Sequence, residues 1–391
     1  MSSDPAAEIF AFLTKMRESD PVHRDEQGVW QVFDHAGVTR ILGDAATFSS
    51  DTSGFVPETP EFEPFRTGNI VNIDPPLHRQ LRGLIVEVFT PRVVDALTPK
   101  IGHIAEELLD AADGDGRFEL VETLSYPLPV IVIAELLGVP GTDRPLFHRW
   151  ADRLLNRDDF GAEVLPDEKL MDELAPTMRE MTDYLRAQIA ARRTRPTDDL
   201  IGRLAEAEVD GMRLSDNQIV GFAATLLLAG HITTTATLGN AVYLFNANPS
   251  AAADLRANPD LLPAAIEEVL RYRSPFPRVS RVTTTDVEVG GRTIPAGEMV
   301  IGWLAAANRD PAKFPDPDRF DIHRATTGHV AFGHGIHFCI GSRLARLEAR
   351  VTLAALFDRY RDITVETGSP TEFQNPWVMN AVSRLPLAVG K

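Results

Sequence analysis

One stretch of the chain concentrates residues that can do chemistry: Phe332-Gly333-His334-Gly335-Ile336-His337-Phe338-Cys339-Ile340-Gly341. Its three glycines make a loop whose backbone can come close to a flat ligand. Ser342-Arg343-Leu344-Ala345 then opens a helix. A cysteine at a helix N-terminus faces unpaired N–H groups and the positive end of the helix dipole, which favours thiolate. A thiolate is a metal ligand or a nucleophile. Other readings compete. A lone cysteine is often a small buried hydrophobe. A protease-type nucleophile would need a flanking signature that is missing here. A zinc site could draw on His323, His329, His334 and His337, but there is no Cys-x-x-Cys pair. The glycine framing favours a ligand loop.

The pattern Phe-Gly-x-Gly-x-His-x-Cys-x-Gly resembles the haem-binding signature of the cytochrome P450 family, with every fixed position present. The resemblance extends over most of the chain and is to the bacterial, soluble, ferredoxin-dependent class. It implies a mainly α protein with a small β portion, haem b held between a long central helix and the cysteine-loop helix, and Cys339 as the axial iron ligand. Phe332 and Gly341 would frame the cofactor.

About seventy residues before the cysteine, Pro263 opens a short helix containing Glu267-Glu268-Val269-Leu270-Arg271. Two pairings are geometrically open: Glu267 with Arg271 at i,i+4, and Glu268 with Arg271 at i,i+3. The second resembles the family's Glu-x-x-Arg pair, whose implied role is to fix the core behind the haem. Asn308–Pro311 and Phe314–Phe320 resemble the proline-rich segment that follows it.

Ser215-Asp216-Asn217-Gln218 has capping-box spacing, and Asn248-Pro249 ends the apolar run that follows. The spacing predicts a helix of about 30 residues, on the order of 45 Å long. At its centre lies Ala229-Gly230-His231-Ile232-Thr233-Thr234. A glycine there costs roughly 1 kcal/mol against alanine, so it needs a reason. Close packing is one, with Thr233 bonding back to its own helix. The resemblance, to Ala-Gly-x-(Asp/Glu)-Thr-Thr, implies another: Gly230, Thr233 and Thr234 would handle dioxygen and its protons. The family's acidic position is Ile232 here, and no carboxylate occurs from Asn217 through Ala253.

Haem propionates need cationic partners. The resemblance places them at His78 and Arg82, four apart in an early helix, at Arg281 just before a strand, and at His337. Arg343, Arg346 and Arg350 lie at i, i+3, i+7 after the cysteine and form a basic stripe. It is either a solvated face or the dock for an acidic ferredoxin. Ser53–Ile70, Phe222–Leu228, Phe276–Val279 and Trp377–Met379 could line an apolar substrate pocket.

The remaining sequence sets limits. Lys and Arg total 39 against 56 Asp and Glu, a net charge of −17. This argues against nucleic acid and anionic membrane surfaces as partners. A single cysteine allows no intrachain disulfide. The N-terminus lacks the basic and apolar regions of a signal peptide. The longest apolar run, Ile219–Gly230, is too short to span a bilayer. A cytoplasmic protein is expected.

No linker or repeat divides the 391 residues, so one domain is expected. Helical spacing covers Ile101–Ala112, Met171–Arg192, Ile219–Phe245 and Leu344–Tyr360. Strands are expected at Val29–Val32, at Met299–Leu304 and in a hairpin, Val287–Val289 and Arg292–Ile294, around Gly290-Gly291.

The implied enzyme is a haem-thiolate monooxygenase. It would take electrons from ferredoxin and ferredoxin reductase and put one oxygen atom of O2 into a hydrophobic small molecule. Hydroxylation or epoxidation of a polyketide, macrolide or other secondary metabolite is the expected step. Ile232 leaves open a non-standard oxidation that is peroxide-driven, coupling or rearranging. A non-catalytic haem sensor is the alternative outside enzymology.

Overall fold

The computed structural model describes residues 4–55, 59–112, 114, 116–155, 168–209, 211–366 and 368–390. Helices dominate, with five small sheets among the described residues. The chain divides into two compact units, each assembled from separated segments.

The first unit draws on Met1–Ser50, Ala105–Tyr126 and Thr233–Lys391. Its largest sheet orders the strands Val22–Arg24, Trp30–Val32, Met299–Gly302, Val279–Thr283 and Phe48–Ser49. Only the Trp30–Val32 and Met299–Gly302 pair is parallel, with Ile301 opposite Gln31. Parallel strands need a long connection, and this pair is far apart in sequence. Val32, Val38, Ile41, Phe48, Val300 and Leu304 form the core beside the sheet. The expected hairpin is present as Val287–Val289 and Arg292–Ile294. Gly290 and Gly291 turn it with φ of +55° and +75°, a geometry that L side chains resist.

The second unit draws on Asp51–Ile104 and Pro127–Ile232. It is helical, with Leu77–Val88, Pro127–Leu137, Arg144–Leu155, Glu168–Thr194 and Leu200–Glu206 as its main elements. Within Ser53–Ile70 lies the short helix Glu63–Gly68. A Cβ on Gly68 would lie 2.3 Å from Gln218 O and 2.7 Å from Gly221 Cα. Two glycines therefore permit a backbone approach that side-chain patterns do not reveal.

The central helix runs Asp216–Ala247, 32 residues. Its capping box forms in both directions: Gln218 N–H donates to Ser215 Oγ at 3.2 Å, and Ser215 N–H donates to Gln218 Oε1 at 2.8 Å. The longest apolar run, Ile219–Gly230 with Thr225 inside it, understates this element. The whole helix is long and apolar enough to cross a membrane, yet 67% of its most apolar window is buried inside the protein. That burial is what a core helix requires.

Candidate active site

The cysteine loop is fixed by its backbone. Cys339 N–H donates to Phe332 O at 2.9 Å, and Phe338 N–H donates to Gly335 O at 3.1 Å. Gly333 and Gly335 take φ of +72° and +71°. At Gly335 a Cβ would also sit 2.5 Å from Leu42 O, so both torsion and space demand glycine. Ser342 begins the following helix, Ser342–Arg359, with Gly341 at its cap. Cys339 is half-buried, while Ile336 and Phe338 are exposed although apolar.

The support behind the loop comes from Leu262–Tyr272, the helix that Pro263 opens. Arg271 pairs with Glu268, not Glu267: Nε donates to Glu268 Oε2 at 2.7 Å and Nη2 to Oε1 at 2.8 Å. Both side chains are fully buried. Arg271 Nη1 also donates to the carbonyls of Asn308 and Pro317, at 2.8 and 3.0 Å. Asn308 Oδ1 in turn accepts Val330 N–H at 2.7 Å. A short relay of contacts thus ties the ion pair to the strand of chain entering the cysteine loop.

Glu267 takes a different partner. Arg346 donates to it from Nε and Nη2, and His329 Nε2 lies 2.9 Å from its Oε2. The Arg346 guanidinium stands 4.4 Å from the Phe332 ring centre. Burial would raise the Glu267 pKa, but Arg346 and His329 hold it down to about 2. The basic stripe is consequently divided. Arg343 and Arg350 are exposed, whereas Arg346 is engaged. Arg350 borders a surface cavity of about 860 Å³ with Arg256, Phe357, Arg359 and Arg361.

The centre of the long helix interrupts its own burial. Ala229 is exposed, and Gly230, Ile232 and Thr233 are half-buried, between fully buried turns. A Cβ at Gly230 would lie 2.8 Å from Ile133 Cδ1. The missing side chain thus gives Ile133 its place. Thr237 Oγ1 donates to Thr233 O at 2.8 Å, and Thr235 Oγ1 to Ser125 O at 3.0 Å. Thr234 is buried.

His78 and Arg82 lie one turn apart in Leu77–Val88, within the second unit. Burial pushes the His78 pKa down, and the Arg82 charge adds to this against Asp74. Arg281 and His337 belong to the first unit. Arg281 sits inside the strand Val279–Thr283, not before it, and its Nη1 donates to Ser280 O at 2.7 Å. Trp377 meets Phe12 at a tilt and Trp303 edge-on while staying exposed, and Phe222 is buried.

Two further polar residues lie outside every motif named above. Glu348 and Thr352 lie one turn apart on Ser342–Arg359, both buried. The Glu348 carboxyl hydrogen-bonds the Thr234 hydroxyl. A signal did exist: Leu344, Glu348 and Thr352 fall at i, i+4, i+8, on the apolar face of the helix.

Known proteins resemble this chain in sequence and in fold. The cytochrome P450 family profile matches residues 165–388. The chain is 45% identical over 373 residues to the cyclomarin C epoxidase CymV of Salinispora arenicola, covering 95% of this chain and 93% of that one. It is 43% identical over 384 residues to the erythromycin C-12 hydroxylase of Saccharopolyspora erythraea, covering 98% and 94%. Among solved structures, ligand-free cytochrome P450 TbtJ1 matches with a TM-score of 0.91 at 47% identity, covering 99% of this chain and 98% of that one. The open form of cytochrome P450 EryK from S. erythraea gives 0.90 at 42%, covering 99% and 97%.

The chain belongs to the cytochrome P450 family. It is a monooxygenase whose cofactor is haem b and which needs an electron donor, O2 and a hydrophobic substrate. The residues present fit that cofactor. One thiol stands at a helix N-terminus, the apolar faces of Ile336 and Phe338 beside it lie open, and the same unit holds a buried guanidinium, Arg281, suited to a carboxylate.

Proposed function

We propose that Cys339 is the axial ligand of the haem iron, with Phe332 and Gly341 framing the loop that presents it. The supporting observation is the loop itself: a backbone-locked thiol beside exposed apolar side chains, braced by the buried Glu268–Arg271 pair. His78, Arg82, Arg281 and His337 hold the propionates by charge and hydrogen bonding. Gly230, Thr233 and Thr234 form the oxygen-side wall, where the helix leaves Thr233 accessible and hydroxyls can pass protons. Bound haem supplies dioxygen activation, which thiolate donation favours. The chain orients the substrate, excludes water and meters protons.

The substrate class follows from the relatives that act on cyclomarin C and erythromycin: a large secondary metabolite, macrolide or other polyketide, hydroxylated or epoxidised. Ferredoxin and its reductase supply the electrons. The two compact units work as one catalytic domain in the cytoplasm.

The test is spectroscopic. The reduced holoprotein under carbon monoxide should show the red-shifted Soret band of thiolate ligation, and Cys339→Ser should abolish it. A variant that keeps the band removes Cys339 from the iron. Titrating macrolides against the oxidised holoprotein should shift its spin state. A panel without any shift would discard the substrate class and leave the reaction class standing.

A further inference from the structure

Arg278 is a half-buried guanidinium that makes no hydrogen bond or ion pair with any of the described residues. Its partner is an aromatic ring: the guanidinium carbon stands 5.5 Å from the centre of Trp303. Burial pushes its pKa down, and no acid pulls it back. Charges taken out of water are paired as a rule, because an unpaired one is costly. The other buried arginines nearby obey that rule: Arg271 has Glu268, Arg273 has Asp4 and Arg309 has Asp318. Arg278 lacks its anion.

The sequence around it withholds one. The chain has 56 Asp and Glu, yet none occurs from Val269 through Thr285, from Met299 through Arg309, or from Phe373 through Lys391. Those three stretches meet at Arg278. Antiparallel pairing sets Val279 against Gly302, which brings Trp303 beside Arg278. Ala305 N–H donates to Pro277 O at 3.0 Å, and Asn380 N–H donates to Pro275 O at 2.8 Å. Trp377, in the turn before Asn380, meets Trp303 edge-on at 5.8 Å. Trp377 and Phe276 nevertheless remain 38% and 37% exposed. The helix Ala6–Ser19 adds Phe12, 5.2 Å from Trp377, and its acids Glu8 and Glu18 are exposed and unpaired with Arg278.

We propose that Arg278 is a specificity-determining residue that pairs with a carboxylate on the hydrophobic substrate, while Phe276 and Trp377 receive the apolar part beside it. The inference rests on the monooxygenase reading above and adds the charge that the substrate carries. A guanidinium and a carboxylate join through two parallel N–H···O bonds, which fix orientation as well as add affinity. Contact with the Trp303 ring holds the planar fork ready, so little freedom is lost when it binds. One such polar group in an aromatic surround is the usual construction of a site that both holds a hydrophobic molecule and sets its direction. Exposed aromatic side chains grouped around it mark a surface that awaits a partner.

The test compares acids with their neutral esters on the oxidised holoprotein: dodecanoate with methyl dodecanoate, and lithocholate with methyl lithocholate. Calorimetry should show at least one acid binding about tenfold more tightly than its ester, and that acid should shift the spin state of the iron. Arg278→Gln should bring acid and ester to equal affinity and leave the ester where it was. Equal affinities in the wild type overturn the proposal even if R278Q fails to fold. A preference for acid that survives in R278Q overturns it as well. Acids that bind without moving the spin state would put the anion site outside the substrate's path and refute the specificity role. R278Q should load haem normally, and loss of haem would assign Arg278 to the cofactor instead. Esters that shift the spin state as well as the acids do, with the carbon monoxide band intact, would sink Arg278 and leave the monooxygenase reading standing.

Discussion

Arg346 and Glu267 form a two-pronged ion pair, Nε to Oε1 at 2.6 Å and Nη2 to Oε2 at 2.8 Å, joining the cysteine-loop helix to Leu262–Tyr272. His329 reaches the same carboxylate, and the guanidinium stands over the ring of Phe332. Both ends of the cysteine loop therefore lean on one acid. Forked arginine–carboxylate geometry is directional as well as strong, so the pair sets position.

Arg346→Ala should consequently loosen the loop more than it unfolds the protein. The expected cost is about 2 kcal/mol, since a half-buried charged hydrogen bond is lost and Glu267 is left with His329 alone. Haem should dissociate faster from the variant in an apomyoglobin-capture assay. Arg346→Lys should recover little, because an ammonium cannot make the fork. Haem release at the wild-type rate would show that the pair does not brace the loop.

The same pair should govern acid stability. Glu267 has a folded pKa of about 2 against an ordinary value of 4.5. A depressed carboxylate stabilises the fold above its unfolded pKa, and that contribution disappears as pH falls from about 4.5 toward 2. Glu267→Gln should be less stable than wild type at pH 7, and the gap should narrow through that window. Parallel stability curves from pH 7 to pH 3 would refute the assignment.

Glu268 and Arg271 are a harsher case. Both are fully buried, and Arg271 also serves the carbonyls of Asn308 and Pro317. Removing one partner strands the other charge, at a cost of about 3–5 kcal/mol. Glu268→Ala should yield little soluble holoprotein, and so should Arg271→Lys, because an ammonium cannot reproduce the fork to Glu268 together with the bonds to both carbonyls. Normal haem loading of either variant would contradict this.

Much of this site is legible in the sequence because its constraints are local. The glycines of the cysteine loop, the capping box at Ser215 and Gln218, and the Gly290-Gly291 turn each encode backbone geometry within a few residues. Pairing across the chain is not encoded that way. Spacing allowed Arg271 either neighbour, and burial decided for Glu268. Arg346 lay on a basic stripe, yet its partner sits 79 residues away. Glu348 matched no motif, because its meaning depends on Thr234 of another helix. Arg281 fell inside its strand because pairing with Met299–Gly302, a long-range contact, sets the strand's ends.

Gly230 offers a test of packing against chemistry. Its Cβ would meet only the tip of Ile133. Gly230→Ala should gain helix propensity of roughly 1 kcal/mol and lose about as much to crowding. Its melting temperature should stay near wild type. Gly230→Val should destabilise clearly, and Ile133→Ala should restore the double variant. Failure of that rescue would locate the glycine requirement elsewhere than beside Ile133.

Electron transfer separates the three arginines of the stripe. Arg343 and Arg350 are exposed on the face that would meet an acidic partner, and Arg346 is held by Glu267. Exposed charges chiefly steer association, so their effect should appear in the rate and fade with salt. The double variant Arg343→Glu, Arg350→Glu should be reduced about tenfold more slowly by ferredoxin at low ionic strength. Reduction by dithionite should be unchanged, and the deficit should shrink as salt is added. Equal slowing with both reductants would mean that the substitutions disturb the haem itself. Unchanged ferredoxin kinetics would place the docking face away from this helix.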